Sequence, residues 1–228
     1  MDYKIIGQTV PSVEIYLKQG ETLFTQSGGM SWQSDGIDMS TNTRGGLFKG
    51  FSRMLVGESM FMAHYTATKH NAYIGFSSTV PGSIMPIDVS ASGNNLIIQK
   101  GAFLCAQDSV QLNTIFNKKF KSGLFGGEGF ILQQLQGSGM AFLEIDGDCV
   151  EKDLLPGEVI KIDTGNVVAF SPTVSYDIET IKGMGNIIFG GEGLFLTKLT
   201  GPGKVIIQTM NFEDFAGRLI PYMPVDNG

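Results

Sequence analysis

One pattern of residues near the start of the chain returns twice further along, and its first copy is Gly20-Glu21-Thr22-Leu23-Phe24-Thr25-Gln26-Ser27-Gly28. The later copies are Gly93-Asn94-Asn95-Leu96-Ile97-Ile98-Gln99-Lys100-Gly101 and Gly157-Glu158-Val159-Ile160-Lys161-Ile162-Asp163-Thr164-Gly165. The interval from the first copy to the second is somewhat longer than the interval from the second to the third. A short apolar run between two turn residues predicts a β-strand. We therefore expect one cluster of strands to occur three times.

Apolar and polar residues alternate downstream of each copy. Ile37-Asp38-Met39 corresponds in this register to Val110-Gln111-Leu112 and to Val174-Ser175-Tyr176. Alternation with a period of two is typical of a strand with one buried face. Each copy is therefore predicted to continue into a further half-buried strand.

A second block also recurs three times. It reads Val56-Gly57-Glu58-Ser59-Met60-Phe61-Met62, then Gly126-Gly127-Glu128-Gly129-Phe130-Ile131-Leu132, then Gly190-Gly191-Glu192-Gly193-Leu194-Phe195-Leu196. No Gly-Lys-Ser/Thr follows these glycines, and apolar strand residues come next instead of a helix, so a phosphate-binding loop is not expected.

The two blocks together define three pseudo-equivalent units, at approximately 13–80, 82–148 and 149–210. No Ser/Pro-rich linker separates them, so we expect a single domain over 1–228 with a short C-terminal tail at 211–228. Strands must bury their apolar faces, and sandwiches and barrels are the usual solutions. The sequence predicts an all-β sandwich or barrel with pseudo-threefold symmetry.

Two segments predict short helices in this β-protein. In the first, the apolar positions have helical spacing: Leu47, Phe48, Phe51, Met54 and Leu55. This segment could dock on a partner or a membrane, or it could plug one end of a barrel or form a subunit contact. The second helix is predicted over 211–219, with Asn211 as its cap and Pro221 beyond its end.

One glutamate recurs in each unit at the same place in the second block. These residues are Glu58, Glu128 and Glu192. If they converge on a pseudo-threefold axis, their mutual repulsion would favour a bound divalent cation. If they lie at the rim, each carboxylate would accept backbone N–H groups in its own glycine-rich turn.

Other chemistry is sparse in this composition. A net charge of −6 and an isoelectric point near 4.9 argue against nucleic-acid binding. His64 and His70 lack the spacing of a metal-binding pair, and Cys105 and Cys149 do not form a Cys-x-x-Cys motif. Asp146-Gly147 is a strong signal for a hairpin turn. We expect no catalytic residues, no metal ligands and no cofactor.

The apolar runs are short, far below the roughly 18 residues that a membrane-spanning helix needs. No charged leader with a following apolar stretch begins the sequence, so we expect a cytoplasmic protein. Contact with a membrane would then be peripheral or through a partner.

The repeated motifs resemble those of the altered-inheritance-of-mitochondria (mitochondrial biogenesis) family, formerly a bacterial domain of unknown function. The resemblance covers roughly residues 3–210 and rests on these stretches: Gly45-Gly46-Leu47-Phe48, Met54–Phe61, Gly127-Glu128-Gly129-Phe130, Gly137-Ser138-Gly139, Gly191–Phe195, Leu199–Gly203 and Gln208-Thr209. It implies a fold similar to the tryptophan RNA-binding attenuation protein, a β-sandwich akin to a double-stranded β-helix. It implies no enzyme activity, and the role of mitochondrial members in inner-membrane organisation suggests a scaffold.

The sequence thus predicts a non-enzymatic scaffold or partner-binding module, which binds a protein partner or associates with itself into a homo-oligomer. Its contact surface is expected to include the helix over 47–55. The alternative is a module that binds a small ligand or a divalent ion, with Glu58, Glu128 and Glu192 as its ligand-binding residues.

Overall fold

The structure is a computed structural model that describes residues 1–26, 29–42, 62–115, 131–180 and 195–223. These residues form mostly β-strands. The first seven strands are β1 (Asp2–Ile6), β2 (Ser12–Leu17), β3 (Thr22–Gln26), β4 (Met30–Gln33), β5 (Ile37–Asn42), β6 (Met62–Ala67) and β7 (Ala72–Ser77).

Twelve further strands follow among the described residues. The next six are β8 (Gly82–Asp88), β9 (Asn95–Gln99), β10 (Phe103–Gln107), β11 (Val110–Ile115), β12 (Leu132–Gly137) and β13 (Met140–Asp146). The last six are β14 (Cys149–Leu154), β15 (Val159–Asp163), β16 (Val167–Phe170), β17 (Ser175–Thr180), β18 (Phe195–Thr200) and β19 (Gly203–Gln208). Helix α1 (Phe212–Leu219) closes the described chain with a short 3₁₀ turn, Ile220–Tyr222.

The strands form four antiparallel sheets. The first sheet has the order β1-β2-β7-β4, and the second has the order β5-β6-β3-β10-β13-β8. The third has the order β11-β12-β9-β16-β19-β14, and the fourth has the order β15-β18-β17. Each sheet therefore begins and ends with an edge strand. The predicted all-β sandwich is confirmed, and the sheets do not close into a barrel within the described ranges.

The chain divides into two compact units. The first comprises residues 1–95, 101–112 and 135–144. Its core lies between the first and second sheets, where alternate residues of β2 and β7 meet residues of the second sheet. The members are Val13, Ile15, Leu17, Leu23, Ile37, Tyr65, Ala67, Ala72, Ile74, Phe76, Ile84, Leu104, Cys105 and Phe142. This is the two-layer burial that alternating strands require.

The second unit comprises residues 96–100, 113–134 and 145–228. Its core joins residues of the third and fourth sheets: Ile97, Leu132, Leu154, Ile162, Val167, Phe170, Val174, Leu199 and Val205. The two strands that it takes from the fourth sheet, β15 and β18, contribute Ile162 and Leu199. Each unit is therefore a sandwich of two antiparallel sheets.

A β-bulge recurs at the spacing seen in the sequence. It lies between Met30 and Trp32 on β4, between Phe103 and Cys105 on β10, and between Val167 and Ala169 on β16. Each bulge comes at the same position after the glycine that opens its copy of the repeat. A bulge inserts one extra residue and re-aims the strand, so its position is a specific feature of a sheet. The three opening glycines also share a conformation, since Gly20, Gly93 and Gly157 all have positive φ.

The predicted C-terminal helix is present. Its backbone begins at Phe212, where the Phe215 N–H donates to the Asn211 carbonyl (3.0 Å), and Asn211 Oδ1 accepts from the Asp214 N–H at 3.5 Å.

The prediction of a hairpin at Asp146-Gly147 is wrong, although Gly147 does have a positive φ of 70°. The flanking strands β13 and β14 belong to different sheets. The turn is instead bonded to the chain after β19, because the Met210 N–H donates to the Asp146 carbonyl and the Thr209 N–H donates to the Asp148 carbonyl.

Candidate functional site: an aromatic face on the first sheet

The site residues expected from the sequence lie outside the described residues. Glu58, Glu128 and Glu192 fall in 43–61, 116–130 and 181–194, and the helix over 47–55 falls in the first of these segments. Their convergence, their ligands and the contact surface of that helix stay predictions.

A different cluster emerges on the first sheet, where strand register aligns four residues in one row. Lys4 on β1 is opposite Glu14 on β2, Glu14 is opposite Gly75 on β7, and Gly75 is opposite Trp32 on β4. Residues directly opposite on antiparallel strands share a face, so this row crosses all four strands of the sheet. Successive residues of a strand point to opposite faces, so the row lies on the face away from the buried residues that flank Glu14 on β2.

Trp32 lies flat against Gly75. A Cβ placed on Gly75 would stand 2.2 Å from Cε2 and 2.6 Å from Cδ2 and Cζ2 of the indole ring. The ring therefore occupies the space that any larger residue at position 75 would fill. One face of the only tryptophan in the chain is covered by β7, and the side chain is half-buried.

Glu14 ties the row together through both carboxylate oxygens. Oε1 accepts from Lys4 Nζ at 2.8 Å and from the Tyr16 hydroxyl at 2.6 Å, and Oε2 accepts from Trp32 Nε1 at 3.0 Å. The hydrogen bonds from Lys4, Tyr16 and Trp32 lower the pKa of Glu14 to about 2. The hydrogen bond to Glu14 in turn raises the pKa of Lys4. The carboxylate is therefore a fixed acceptor for three donors.

Tyr73 extends this surface along the sheet. It is opposite Tyr16, the ring centroids are 6.2 Å apart, and the Lys4 ammonium stands 5.5 Å from the Tyr16 ring centroid. Tyr73 is 39% exposed. We call Lys4, Glu14, Tyr16, Trp32 and Tyr73 the aromatic face.

The aromatic face has the chemistry of a contact surface. Aromatic rings with polar tips are enriched where proteins bind one another. The hydrogen bonds to Glu14 fix the Tyr16 and Trp32 side chains, and side chains that are already fixed lose less entropy in a contact. The face holds no nucleophile beside a base, and the described residues contain no group of three His, Cys, Asp or Glu side chains that could hold a metal ion.

One border of the aromatic face is an edge of the sheet. β4 carries Trp32 and stands last in the first sheet, with β7 as its neighbour there. An edge strand presents backbone N–H and C=O groups that can pair with another strand. The aromatic face therefore reaches the last strand of its sheet.

A second feature is a pocket beside α1, with a volume of about 290 Å³. Its lining is Asn166, Thr209, Met210, Asn211, Asp214, Phe215 and Arg218. It therefore offers one guanidinium, one carboxylate, amide groups and an aromatic ring. Burial raises the pKa of the nearby Asp163, and Asp214 adds to that increase, while the Gly165 N–H opposes it.

The helix that borders this pocket exposes large apolar side chains. Phe212, Phe215 and Leu219 are each at least two-fifths exposed, and the segment continues into the exposed residues Ile220, Tyr222 and Met223. The described chain contains no helix that is long and apolar enough to cross a membrane.

One histidine and the two cysteines have distinct surroundings. His64 is half-buried, with Nδ1 3.3 Å from Asp108 Oδ1, and its ring is tilted against Phe24 at 5.9 Å between centroids. Burial raises the pKa of the Cys105 thiol well above its usual range. Burial also raises the pKa of Cys149, which is only half-buried.

Sequence reasoning missed the aromatic face, although a signal was present. Trp32 and Gly75 are opposite each other beside the bulge on β4. The residue pairs at the same position beside the other two bulges are Cys105 with Phe142 and Ala169 with Ile206. In the first pair the large residue is Trp32 and its partner is the smallest residue, glycine. In the other two pairs the bulge residue is small and its partner is large, so the combined volume of each pair is roughly conserved. Comparing the units residue by residue would have revealed this exchange.

Comparison with known proteins gives a consistent result. The family description Mitochondrial biogenesis AIM24 matches residues 3–210. The chain is similar to an uncharacterized protein of Streptococcus pyogenes serotype M6, with 31% identity over 225 residues, which cover 95% of this chain and 88% of that protein. It is also similar to the X-ray crystal structure of a protein from Streptococcus pyogenes, with a TM-score of 0.79 and 28% identity, over 97% of this chain and 99% of the other.

Proposed function

The chain belongs to the Mitochondrial biogenesis AIM24 family, and on that premise we propose that it is a non-enzymatic scaffold that binds a protein partner through the aromatic face. The observation that carries this proposal is Trp32, held flat on Gly75 and bonded to Glu14, on the face of the first sheet that points away from its buried residues. Tryptophan and tyrosine supply much of the binding energy in protein interfaces. A half-buried tryptophan on an edge strand fits that use.

The energetics of the aromatic face support the same proposal. Three donors satisfy the Glu14 carboxylate, so this charge stays bonded when a partner excludes water. The aromatic rings provide apolar area with little loss of side-chain entropy, because they rotate about only two bonds. Lys4 and Glu14 together carry no net charge, which favours a partner surface that is neither strongly acidic nor strongly basic.

A site-specific photo-crosslink tests this function. A benzoylphenylalanine replaces Tyr73 on the aromatic face, and a matched control replaces Met39, which is 57% exposed on β5 of the second sheet. After irradiation in cells, we expect a discrete adduct with a protein chain from position 73 and none from position 39. Trp32→Ala should weaken that adduct. The absence of an adduct at position 73, or the same adducts from both positions, contradicts the proposal.

The pocket beside α1 favours a second candidate function, the binding of a small ligand. Arg218 supplies a fork of donors suited to a carboxylate or phosphate group, and Asp214 and the amide groups can accept or donate hydrogen bonds. The pocket volume of about 290 Å³ lies just below the range of roughly 300–1,000 Å³ that is typical of small-molecule sites, so only a small ligand would fit. Thermal unfolding in the presence of small anionic metabolites tests it: a rise in Tm that Arg218→Ala removes supports the site, and no rise argues against it.

A further inference from the structure

We infer that the pocket beside α1 binds a zwitterionic α-amino acid with an apolar side chain. This inference rests on the second candidate function, the binding of a small ligand in this pocket, and names the chemical class of that ligand. All the residues that line the pocket belong to the second compact unit. The site is therefore built within one unit.

Two opposite charges line the pocket from a single helix. Asp214 and Arg218 are four residues apart on α1, which places their Cβ atoms on one side of the helix at about 5–6 Å from each other. A carboxylate and a guanidinium in this order can stabilise a helix by pairing. Within the described chain, however, neither side chain has a hydrogen bond or an ion pair. Both charges are therefore available to a ligand.

Two acceptors in the pocket suit an ammonium group. One is the Asp214 carboxylate, and the other is the amide oxygen of Asn166. The Asn166 Nδ2 donates to the Gln208 carbonyl at 2.8 Å, whereas its amide oxygen has no hydrogen bond to any described residue. An ammonium group presents up to three N–H donors, so it can bond to both acceptors at once.

A second carboxylate near the pocket also favours a cation there. Asp163 is half-buried, and its Oδ1 accepts the Gly165 N–H at 3.1 Å. Burial raises the pKa of Asp163, and the charge of Asp214 adds to that increase, so the two carboxylates are close enough to repel each other. A ligand ammonium bonded to Asp214 would reduce this repulsion.

Two donors in the pocket suit a carboxylate group. The Arg218 guanidinium is a planar fork of N–H groups that matches the two oxygens of a carboxylate. Thr209 Oγ1 accepts the Asp148 N–H at 2.8 Å, which leaves the hydroxyl hydrogen of Thr209 to donate to a ligand. The pocket therefore offers one set of groups for a negative charge and another for a positive charge.

An α-amino acid carries both of these charges on one carbon atom. Two groups on one turn of a helix can therefore bind its ammonium and its carboxylate at the same time. A simple anion would satisfy Arg218 but would be repelled by Asp214, and a simple amine would satisfy Asp214 but would be repelled by Arg218. The zwitterion alone satisfies both.

The remaining lining indicates the side chain of the ligand. Phe215 and Met210 contribute an aromatic ring and a thioether to the pocket, and Phe215 is 43% exposed. An apolar ligand side chain would remove part of that ring from water, which is favourable. The volume of about 290 Å³ limits the ligand to the size of a small molecule such as a free amino acid.

Calorimetric titration of the full-length protein with three related compounds tests the inference. Leucine carries both charges, isocaproate is leucine without its amino group, and isoamylamine is leucine without its carboxylate. We expect leucine to bind about tenfold or more tightly than either analogue, because each analogue leaves one charge in the pocket without a partner. Equal affinity for leucine and either analogue, or no binding of leucine, overturns the inference.

Two variants show whether the ligand occupies this pocket. Arg218→Gln and Asp214→Asn each remove one charge from an exposed side chain, and each should weaken leucine binding by about tenfold or more. The matched controls are Lys152→Gln and Asp177→Asn, which remove the same charges from exposed positions of the second unit outside the pocket. The controls should bind leucine as the wild type does. Leucine binding that Arg218→Gln and Asp214→Asn leave unchanged overturns the inference.

Failure of this inference and failure of the small-ligand function give different results. If isocaproate binds as tightly as leucine and Arg218→Gln weakens both, the pocket binds anions, so the small-ligand function stands and the inference falls. If none of the three compounds binds and small anionic metabolites also leave Tm unchanged, both fall. The photo-crosslink at position 73 tests the aromatic face independently of either result.

Discussion

Replacing Gly75 by alanine should expel Trp32 from the sheet. The added Cβ would stand 2.2 Å from Cε2 of the indole, whereas carbon atoms in good contact are about 3.5–4.0 Å apart. Because β7 pairs with strands on both sides, the backbone at position 75 has little freedom to retreat. Overfilling a packed site typically destabilises a protein by about 1–3 kcal/mol. For a chain of this length, that corresponds to a decrease in Tm of several degrees.

The same substitution should behave differently once the indole is gone. Gly75 does not have a positive φ, so alanine fits its backbone, and alanine in a strand is favoured over glycine by about 0.5–1 kcal/mol. In a Trp32→Ala background, Gly75→Ala should therefore be neutral or stabilising. A double-mutant cycle is expected to give a coupling energy of about 2 kcal/mol between the two positions.

Urea unfolding of the wild type, Gly75→Ala, Trp32→Ala and the double variant measures this coupling energy. Tryptophan emission reports on the packing of the indole ring itself. Trp32 is the only tryptophan, so its fluorescence in Gly75→Ala reports the position of this one ring, and the emission should shift to the red. Equal effects of Gly75→Ala in both backgrounds, with unchanged emission, would refute the packing of Trp32 on Gly75.

Three further predictions concern the core, the charges and the thiols. Phe142→Ala should lower the free energy of unfolding by about 3–5 kcal/mol, because the ring is fully buried; a loss below about 1 kcal/mol in urea unfolding contradicts this. The pKa of Glu14 is lowered from its ordinary 4.5 to about 2, so its contribution to stability is complete above pH 4.5 and is lost as the pH falls toward 2. Tm measured against pH should therefore decline less steeply for Glu14→Gln than for the wild type, and parallel curves would be inconsistent with the hydrogen-bonded carboxylate. Titration with a thiol reagent should modify Cys149 in the folded protein and Cys105 only after unfolding, whereas equal rates would show that Cys105 is accessible.

The sequence contains enough information to predict the strands that carry the repeat. Glycines at 20, 93 and 157 adopt positive φ, and the strands β3, β9 and β15 begin shortly after them. This works because a left-handed turn residue and an apolar run are both local signals. The helix after Met210 is predictable for the same reason, since its cap Asn211 and its apolar positions lie within one segment.

Strand partners and the aromatic face depend on information that is not local. Asp146-Gly147 has the residues of a hairpin turn, but the strands on either side pair in different sheets, and no feature of the turn itself reveals this. The aromatic face forms only because four strands align in register and bring Glu14 between Lys4 and Trp32. A comparison of the repeats could still have indicated that Trp32 and Gly75 are in contact. Relative to the other copies, the side chain is larger at position 32 and smaller at position 75, and the two changes in volume compensate each other.

Cross-linking from benzoylphenylalanine at position 73 measures most directly whether the aromatic face binds a protein. Trp32 packs on Gly75 and donates to Glu14, so loss of its ring should weaken such a contact. We predict a discrete protein adduct from position 73 that Trp32→Ala weakens and that position 39 does not give. No adduct from position 73, or the same adduct from position 39, would contradict a binding role for this face.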